Sequence, residues 1–532
     1  MTSNSVRIYN INKAIGLASS GVEYAQKYRR EIFADIAWVD DYYVFTDYMP
    51  TNLSVFSDRL GFTRAQVLWI YNLVTGRETL PCTLSVERFI SAIKQPHSAP
   101  QTFPEHTDVA LTDSPVRYRI RTLADLDGPA QLIGRVETLV GDQLVRVEHY
   151  DETLNNVEHF HENQLVRRVF YAPDGRVGAE QFYRDREILR TLIKPASPLY
   201  DGSVRQGRRR PSSFRGEVVL EGRSQFFQFV FERLFSRPDD VVIVDRALDV
   251  IDGIYPVIGD HRLYSIVHAE HFDLKQIDDG ILLWNNHYEN VFTRPDMVDG
   301  FVVSTRRQKE VLESQLAALF PASDFNVVCI PVGHVTRRVR IVEPAARPQY
   351  DPFAIVTASR LADEKHIDIL IRAVGAARKA VPELRLDVYG EGGSRDRLLA
   401  VIEETQTQDC VRLMGHHELD GVLGSYGLYV SASTSEGFGL SLLEALAEGM
   451  PIVGFDIDYG NREMVESGVN GRLVPCVSGD RDIIEIADAV VEVLTSGSID
   501  DMRNQSLRKA EAYTAANVRK LWERLLREEQ TC

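Results

Sequence analysis

The chain has 532 residues, 44% of them hydrophobic, and carries 60 Lys and Arg against 77 Asp and Glu, which gives a formal net charge of −17. A chain of this length exceeds what one hydrophobic core ordinarily supports, so we expect two or three domains. The acidic balance argues against a nucleic-acid-binding surface as the main function, while it leaves room for a local basic groove that holds a diphosphate.

The five cysteines are scattered along the chain, and none belongs to a Cys-x-x-Cys pair. This pattern indicates neither a disulfide framework nor a zinc site. No charged-then-apolar leader precedes the first predicted strand, and the sequence has no long apolar span. We therefore expect a cytoplasmic protein, with peripheral association at the inner face of the cell membrane left open.

The first part of the chain alternates strands with a helix. Apolar runs predict strands at 6–11, 44–47 and 67–71, and helical spacing predicts a helix at 22–33. The loop before that helix contains Gly16 and Gly21, but it lacks both the Gly-x-Gly-x-x-Gly dinucleotide pattern and a Walker lysine. A dehydrogenase or kinase is therefore disfavoured, although backbone N–H groups of this loop can still face a phosphate across a cleft.

From residue 85 to 215 the pattern changes to short segments that are rich in β-forming residues. Partial alternation and intervening turn signals predict strands at 144–150, 157–162, 165–171 and 177–183. They predict an antiparallel β-meander that is inserted into, or appended to, an α/β domain. A packing or oligomerisation module and a substrate-binding face remain equally open for it. The segment 201–215 contains three consecutive arginines and is predicted to be a loop or linker.

Strands and helices alternate again from residue 241 onward. The predicted strands are 241–245, 263–268, 300–304, 354–357, 385–389 and 426–432, and the predicted helices are 367–380, 395–405 and 440–448. This alternation predicts parallel sheets wrapped by helices, so the fold class is α/β, with two such domains and a cleft between them. Ligands of such sheets bind at the carboxyl ends of the strands.

The stretch 433–445, with the sequence STSEGFGLSLLEA, places two carboxylates eight positions apart with two glycines between them. It joins a predicted strand to a predicted helix, and such a turn presents backbone N–H groups to an anion. Glu436 and Glu444 flank that anion site, which suits a ligand with phosphate in the middle and hydroxyl-rich sugars at each end. A sugar nucleotide is such a ligand. A tight turn and a carboxylate near a helix start also fit a purely structural role.

Two basic residues follow the predicted strand 354–357. Arg360 and Lys365 lie at its carboxyl end, where a guanidinium and an ammonium can neutralise a diphosphate that gains charge as it departs. A surface salt bridge to Asp363 or Glu364 is the structural alternative for either cation.

Two further strand ends carry candidate residues. The strand 385–389 ends at Gly390, in a glycine turn that lets a nucleotide approach the backbone closely. His268 ends the strand 263–268, where it can hydrogen-bond a sugar hydroxyl; a satisfied structural histidine is the alternative. His268 and His271 together form too short a motif to indicate a metal site.

As a set, these motifs resemble the family-4 retaining glycosyltransferases of GT-B fold: TASRLADEKH at 357–366, the glycine turn at 390–393 and the stretch 433–445. Over most of the chain, further segments are similar to the GtfA-type catalytic subunits of peptide O-GlcNAc transferases, which modify serine-rich-repeat adhesins. They are YNINKAIGLASSGVEYAQKYR at 9–29, IVHAEHF at 266–272, LLWNNHYENVF at 282–292 and GFDIDYGNREMVESGVNGRLVP at 454–475.

The resemblance implies two Rossmann-like domains that face a cleft, with the β-meander inserted into the first. We expect the N-terminal, acceptor-side domain at 1–84 and 216–345, the insert at 85–215, and the nucleotide-sugar-binding domain at 346–532. The last helix of the chain can return to the N-terminal domain in this arrangement.

The resemblance also implies a role for each candidate residue. Glu436 contacts hydroxyls of the donor sugar and Glu444 holds the ribose. Arg360 and Lys365 bind the diphosphate, and His268 lies beside the donor sugar. No metal ion or cofactor is expected, because a helix dipole and the two cations replace a metal's charge. The remaining donor-binding residues are Gly16, Gly21, Gly390, Gly437, Phe438, Gly439 and Leu440.

The implied activity is transfer of N-acetylglucosamine from UDP-GlcNAc to serine or threonine hydroxyls of an adhesin, in a complex with a catalytically inactive sister subunit of the GtfB type. Three alternatives stay open: a wall teichoic acid (polyol phosphate) α-glycosyltransferase, a UDP-glucose-specific adhesin glycosyltransferase, and the inactive sister subunit itself. The net charge of −17 argues mildly against a polyanionic acceptor, whereas the arginines at 205–210 argue mildly for one. The intact set of donor residues argues against the inactive subunit.

Overall fold

The computed structural model describes residues 5–15, 21–123, 131–200, 212–214, 216–273, 282–335, 349–417, 419, 421–477 and 479–527. Gly16 and the arginines at 205–210 lie outside the described residues. The chain divides into two compact units. The first unit comprises Met1–Ile266 and Asn286–Asp299, and the second comprises Val267–Asn285 and Gly300–Cys532.

The strands and helices follow one another along the whole of the described chain. The strands are β1 (Val6–Asn12), β2 (Val39–Phe45), β3 (Val67–Trp69), β4 (Gln101–Thr102), β5 (His106–Ala110), β6 (Val116–Thr122), β7 (Ile133–Val140), β8 (Gln143–Tyr150), β9 (Leu154–His161), β10 (Gln164–Tyr171), β11 (Val177–Arg184), β12 (Glu187–Ile193), β13 (Ser212–Phe214), β14 (Glu217–Glu221), β15 (Val241–Val244), β16 (Arg262–Val267), β17 (Gly300–Val303), β18 (Val327–Cys329), β19 (Asp351–Ala358), β20 (Arg385–Tyr389), β21 (Val411–Gly415), β22 (Tyr426–Ser431), β23 (Ile452–Phe455) and β24 (Gly471–Val474). The helices are α1 (Gly21–Ala34), α2 (Ser54–Arg59), α3 (Ile70–Leu73), α4 (Val86–Ser91), α5 (Gly222–Leu234), α6 (Ile251–Ile254), α7 (Glu289–Phe292), α8 (Arg306–Leu319), α9 (Ile367–Ala377), α10 (Arg395–Glu404), α11 (Leu440–Ala447), α12 (Gly460–Met464), α13 (Asp480–Thr495), α14 (Ile499–Ala510) and α15 (Ala515–Arg527). Within the described ranges, no helix is both long enough and apolar enough to cross a membrane.

Parallel strands in the first unit lie side by side in the order β16-β15-β1-β2-β3. β15 is apolar and buried at every position, as expected for a strand that is covered on both faces. At its carboxyl end, Asp245 Oδ1 lies 2.6 Å from Nη2 of Arg29 on α1, and both side chains are buried. Arg29 also donates a hydrogen bond to Asn10 of β1. This buried ion pair fixes α1 against the strand ends.

The first unit also contains an antiparallel sheet of eleven strands, in the order β13-β14-β12-β11-β10-β9-β8-β7-β6-β5-β4. Strands β4 to β12 are neighbours in chain order, so the sheet is built mainly from hairpins. The turns Glu162-Asn163 and Asp185-Arg186 have φ between 50° and 69° at all four positions, which matches the right-handed twist of the strands that they join. The predicted β-meander is therefore confirmed, and it extends to β4–β7 and β12–β14, which the sequence pattern did not predict.

The second unit contains the parallel pair β17-β18 and a parallel sheet in the order β21-β20-β19-β22-β23-β24. Helices cover both faces of the six-stranded sheet. On one face, α9 and α13 pack Ile371 and Val490 into a buried cluster. On the other face, α11 and α14 contribute Leu446 and Ala510 to a second buried cluster. The predicted α/β architecture of this region is confirmed, with strand carboxyl ends that point to one edge.

The element predictions differ from the structure mainly at their ends. The strand predicted at 67–71 stops at Trp69, and Ile70 begins α3. Ile70 and Tyr71 are buried, so the apolar run continues through the change from strand to helix, and periodicity alone does not separate the two. The strand predicted at 44–47 spans Val39–Phe45, where two consecutive acidic residues followed by two consecutive tyrosines hide the pattern.

Candidate active site

The carboxyl end of β19 carries both predicted basic residues. After Ala358 the chain runs through Arg360 into a single 3-10 turn, Asp363–Lys365. His366 then adopts a left-handed conformation, with φ 43° and ψ 44°, and α9 begins at the next residue. The sharp reversal keeps Lys365 at the strand edge, where parallel sheets bind their ligands.

A glycine loop joins β22 to α11 and carries Glu436. The backbone oxygen of Glu436 accepts hydrogen bonds from the N–H groups of Tyr459, at 3.0 Å, and Gly460, at 2.8 Å. At Gly437, a Cβ atom would lie 2.3 Å from the backbone oxygen of His268, so no larger residue fits there without a shift. Gly439 has φ 84°, a conformation that favours glycine. Backbone packing thus fixes the path of the loop.

The structure brings Lys365 and Glu436 together. Lys365 Nζ lies 2.7 Å from Glu436 Oε2 and 3.3 Å from Ser433 Oγ, and the Ser433 hydroxyl donates to the backbone oxygen of Ser435. The Lys365 and Glu436 side chains are 17% and 22% exposed, so both charges are partly shielded yet remain accessible to a ligand. A cation and an anion in contact at a strand edge can separate to bind phosphate and sugar hydroxyls, respectively.

The first turn of α11 forms the next part of the site. Gly439 caps this helix, and its first intrahelical bond runs from the N–H of Leu443 to the oxygen of Gly439. The N–H groups ahead of Leu443 have no acceptor within the helix, and such groups attract anions. The Tyr429 hydroxyl donates to Ala358 O, at 3.0 Å, and lies 2.9 Å from Ser441 Oγ, which ties the end of β19 to this turn. Burial raises the pKa of Tyr429 to about 12, so it stays neutral.

The other candidates on this loop and helix have different surroundings. Phe438 is buried, and its ring meets that of Tyr513 edge-on at 5.9 Å. Leu440 packs so closely on the backbone of Gly333 that a Cβ atom there would lie 2.4 Å from Leu440 Cδ2. Glu444 is half-buried at the fifth position of α11. Phe438 and Leu440 thus hold the helix start in place, while Glu444 lies one turn along.

A second glycine turn follows β20. At Gly390 a Cβ atom would lie 1.8 Å from the backbone oxygen of Ser359, so the turn packs directly on the loop that carries Arg360. Arg360 itself is 64% exposed, and its Nη2 lies 3.1 Å from Glu364 Oε1. The structure therefore places Arg360 on the exposed rim, in a salt bridge to Glu364, which is the structural alternative to diphosphate binding.

The segment after β16 packs against the glycine loop and adds a residue that the sequence pattern did not predict. The His268 backbone contacts Gly437, and the His268 side chain is half-buried. Two residues further on, Glu270 Oε2 lies 3.3 Å from Ser435 Oγ. Burial raises the pKa of Glu270, although the Ser435 hydrogen bond opposes that shift. The position of Glu270 just after the end of β16 is the feature of the sequence that could have indicated a role in the site.

Two further predictions concern the glycines at or before the start of α1 and metal binding. Gly21 begins α1 in the first unit, with open space where a Cβ atom would lie, and Gly16 falls outside the described residues. Among the residues that the structure describes, no group of three or more His, Cys, Asp or Glu is arranged to hold a metal ion.

Comparison with known proteins gives one family model that matches part of the chain and relatives that match nearly all of it. Residues 343–512 match the family model described as glycosyl transferases group 1. The GtfA subunit of UDP-N-acetylglucosamine–peptide N-acetylglucosaminyltransferase from Streptococcus parasanguinis is 34% identical over 535 residues, which cover 98% of this chain and 99% of that protein.

Two solved structures are similar over nearly their whole length. The crystal structure of the pneumococcal O-GlcNAc transferase GtfA in complex with UDP and GlcNAc has a TM-score of 0.87 and 30% identity, and covers 99% of this chain and 100% of that chain. The crystal structure of a GtfA/B complex has a TM-score of 0.84 and 31% identity, and covers 98% of this chain and 99% of that chain. The GT-B fold predicted from the sequence is thereby confirmed.

Proposed function

The chain belongs to the GtfA family of UDP-sugar-dependent glycosyltransferases, and we propose that it transfers N-acetylglucosamine from UDP-GlcNAc to serine or threonine hydroxyls of a serine-rich-repeat adhesin. Its likeness to a structure solved with UDP and GlcNAc supports the donor. The Lys365–Glu436 contact of 2.7 Å carries the proposal, because it joins the expected phosphate-binding cation to the expected sugar-binding carboxylate.

The donor would lie along the loop from Glu436 to the first turn of α11. Lys365 would exchange its contact with Glu436 for a diphosphate oxygen, and Arg360 would reach the same group from the rim. The N–H groups at the start of α11 would add positive potential, while Glu444 would accept hydrogen bonds from the ribose hydroxyls. Glu436 would then be free to accept hydrogen bonds from the sugar, with His268 beside it.

The reaction would proceed with retention at the sugar carbon. The bond between that carbon and the phosphate oxygen breaks, and the acceptor oxygen forms its bond on the same face of the sugar. The hydroxyl proton passes to the departing diphosphate, so no covalent enzyme nucleophile is required. Lys365, Arg360 and the helix dipole would stabilise the charge that develops on UDP without a metal ion.

Domain roles, partners and location complete the proposal. The domains would be 1–84 with 216–345, the insert at 85–215, and 346–532; the long antiparallel sheet supports the insert. The partner would be a GtfB-type sister subunit, as in the similar GtfA/B complex. We place the protein in the cytoplasm, with peripheral attachment to the inner membrane face as the further expectation. The teichoic acid and inactive-subunit alternatives are less well supported, because the Streptococcus parasanguinis relative is named for transfer to peptide.

A Glu436→Gln variant tests the role of the site. The amide keeps the size of the side chain but loses the charge that holds the sugar hydroxyls, so we expect transfer of labelled GlcNAc to a serine-rich peptide to fall at least 100-fold, about 2.7 kcal/mol. Thermal unfolding provides the control for folding. Unchanged turnover in a folded variant would contradict the assignment.

A further inference from the structure

Two buried side chains, Tyr459 and His271, form a hydrogen-bond network next to the glycine loop that carries Glu436. Tyr459, whose N–H donates to the Glu436 backbone oxygen at 3.0 Å, is buried. The hydroxyl of Tyr459 lies 3.3 Å from Nδ1 of His271, and Nε2 of His271 lies 2.8 Å from Gln315 Oε1. The hydrogen bonds therefore connect Gln315 on α8, through His271 and Tyr459, to the backbone of the glycine loop.

A neutral His271 imidazole makes both hydrogen bonds of this network. With its proton on Nε2, His271 donates a hydrogen bond to the Gln315 oxygen and accepts one from the Tyr459 hydroxyl at Nδ1. Burial lowers the pKa of His271 to about 4, which keeps the ring neutral at ordinary pH. The imidazole also stacks on the Tyr459 ring at 5.7 Å and on Trp284 at 6.1 Å. Tyr459 is thus held both by its hydroxyl and by its ring face.

The contacts on the other side of Tyr459 carry this constraint to the loop. Gly460, the next residue, donates its N–H to the same Glu436 oxygen at 2.8 Å. A Cβ atom at Gly460 would lie 2.4 Å from the Phe438 oxygen and 3.2 Å from Glu436 Cγ. A rotation of Tyr459 would therefore move the backbone against which the Glu436 side chain rests.

We propose that His271 is a positioning residue for the glycosyl transfer: it fixes Tyr459, whose backbone N–H holds the main chain of Glu436 and thereby places its carboxylate where it meets the donor sugar. The inference rests on the proposed function, since it gives Glu436 the sugar as its ligand. His271 would not touch the donor. Its loss would weaken contacts to the sugar and leave the diphosphate contacts of Lys365 and α11 in place.

The test compares binding of UDP-GlcNAc with binding of UDP by calorimetry. We expect H271A and Y459F to weaken binding of UDP-GlcNAc about tenfold and to change binding of UDP less than twofold. Y255F is the matched control, because the buried Tyr255 hydroxyl also makes a 3.3 Å hydrogen bond, to Asn290 O in the first unit. Equal weakening of both ligands, or of neither, would overturn the inference.

An E436Q variant separates failure of this inference from failure of the proposed function. If E436Q binds UDP-GlcNAc as tightly as the wild type does, the proposed sugar contact is wrong. If E436Q weakens binding and Y459F does not, only the role of His271 is wrong. When both weaken it, adding H271A to E436Q should cost less than a further twofold, whereas a second full tenfold loss would contradict action through Glu436. Y459F removes a single hydroxyl, so it serves if H271A does not fold.

Discussion

Replacement of Lys365 by Met should abolish most of the activity and leave the fold intact. The side chain keeps an unbranched apolar stem that reaches as far as Cε but loses its ammonium group. In the structure that group lies 2.7 Å from Glu436 Oε2 and 3.3 Å from Ser433 Oγ, at the edge of a parallel sheet. We expect kcat/KM for GlcNAc transfer to fall by about 150-fold.

The magnitude follows from the burial of the group. A hydrogen bond to a charged group contributes about 1.5–3 kcal/mol, and the upper end applies where water is partly excluded. Lys365 is only 17% exposed, so we take about 3 kcal/mol, which corresponds to roughly 150-fold in rate. Removal of the ammonium group leaves the Glu436 side chain 22% exposed and therefore in reach of water, so we expect the free energy of unfolding to fall by only about 1 kcal/mol. Activity and stability should therefore respond very differently.

The assay measures initial rates of labelled GlcNAc transfer at several donor concentrations, together with thermal unfolding. Lys379→Met is the matched control, because this lysine is exposed and follows α9 in the same unit. Lys379→Met should keep full activity. A folded Lys365→Met variant within fivefold of wild type would refute the role of the ammonium group.

Three further predictions follow from other contacts. Gly437→Ala should lower activity at least 100-fold, because the added Cβ atom would lie 2.3 Å from the backbone oxygen of His268. By contrast, Gly375 lies inside α9, and the atom nearest to an added Cβ would be 3.4 Å away. Gly375→Ala should therefore raise the free energy of unfolding, measured in urea titrations, by about 0.5 kcal/mol. The pKa of His271 is about 4 in the folded state and 6.5 ordinarily, so the unfolded chain protonates this imidazole at a higher pH than the folded chain does. The free energy of unfolding should therefore drop by up to about 3 kcal/mol from pH 6.5 to pH 4, and by less in the H271N variant. Arg360→Ala should change the unfolding free energy by under about 0.5 kcal/mol, since its salt bridge is exposed, yet weaken UDP binding in calorimetry about tenfold; unchanged affinity would remove Arg360 from the diphosphate site.

Local patterns in the sequence were sufficient for the parts of the site that lie on one strand end each. The apolar run at 426–432, the glycines around Phe438 and the helical pattern from Leu440 predicted a strand, a loop and a helix, respectively. The structure has all three. Lys365 and Glu436 were each predicted from a strand end. Their contact was not predicted, because it depends on β19 and β22 being neighbours in the sheet, so that their carboxyl ends share an edge.

Contacts between distant segments were not predictable from local patterns. Glu270 reaches Ser435 across 165 positions of the chain, and His271 reaches Tyr459 across 188. A histidine after an apolar strand gives no indication of which residue it will meet. The role of Gly437 as a backbone contact for His268 is hidden in the same way, since sequence pattern alone equally allows a simple turn.

The antiparallel sheet was predicted in kind and underestimated in extent. Strands β8 to β11 are rich in β-forming residues and alternate in part, which was enough to predict them together with the turns between them. In β6 and β7, charged and apolar residues mix because arginines pair with carboxylates across the sheet, as Arg121 does with Glu137 at 2.8 Å. Cross-strand ion pairs of this kind allow polar residues on a strand face without a regular period of two.

The measurement that tests the central claim most directly is a transfer assay with labelled UDP-GlcNAc and UDP-glucose, a serine-rich acceptor peptide and the sister subunit. We predict that label from UDP-GlcNAc appears in the peptide and that Lys365→Met and Glu436→Gln both suppress it. Label that enters the peptide only from UDP-glucose, or only a polyol phosphate polymer, would contradict the proposed reaction.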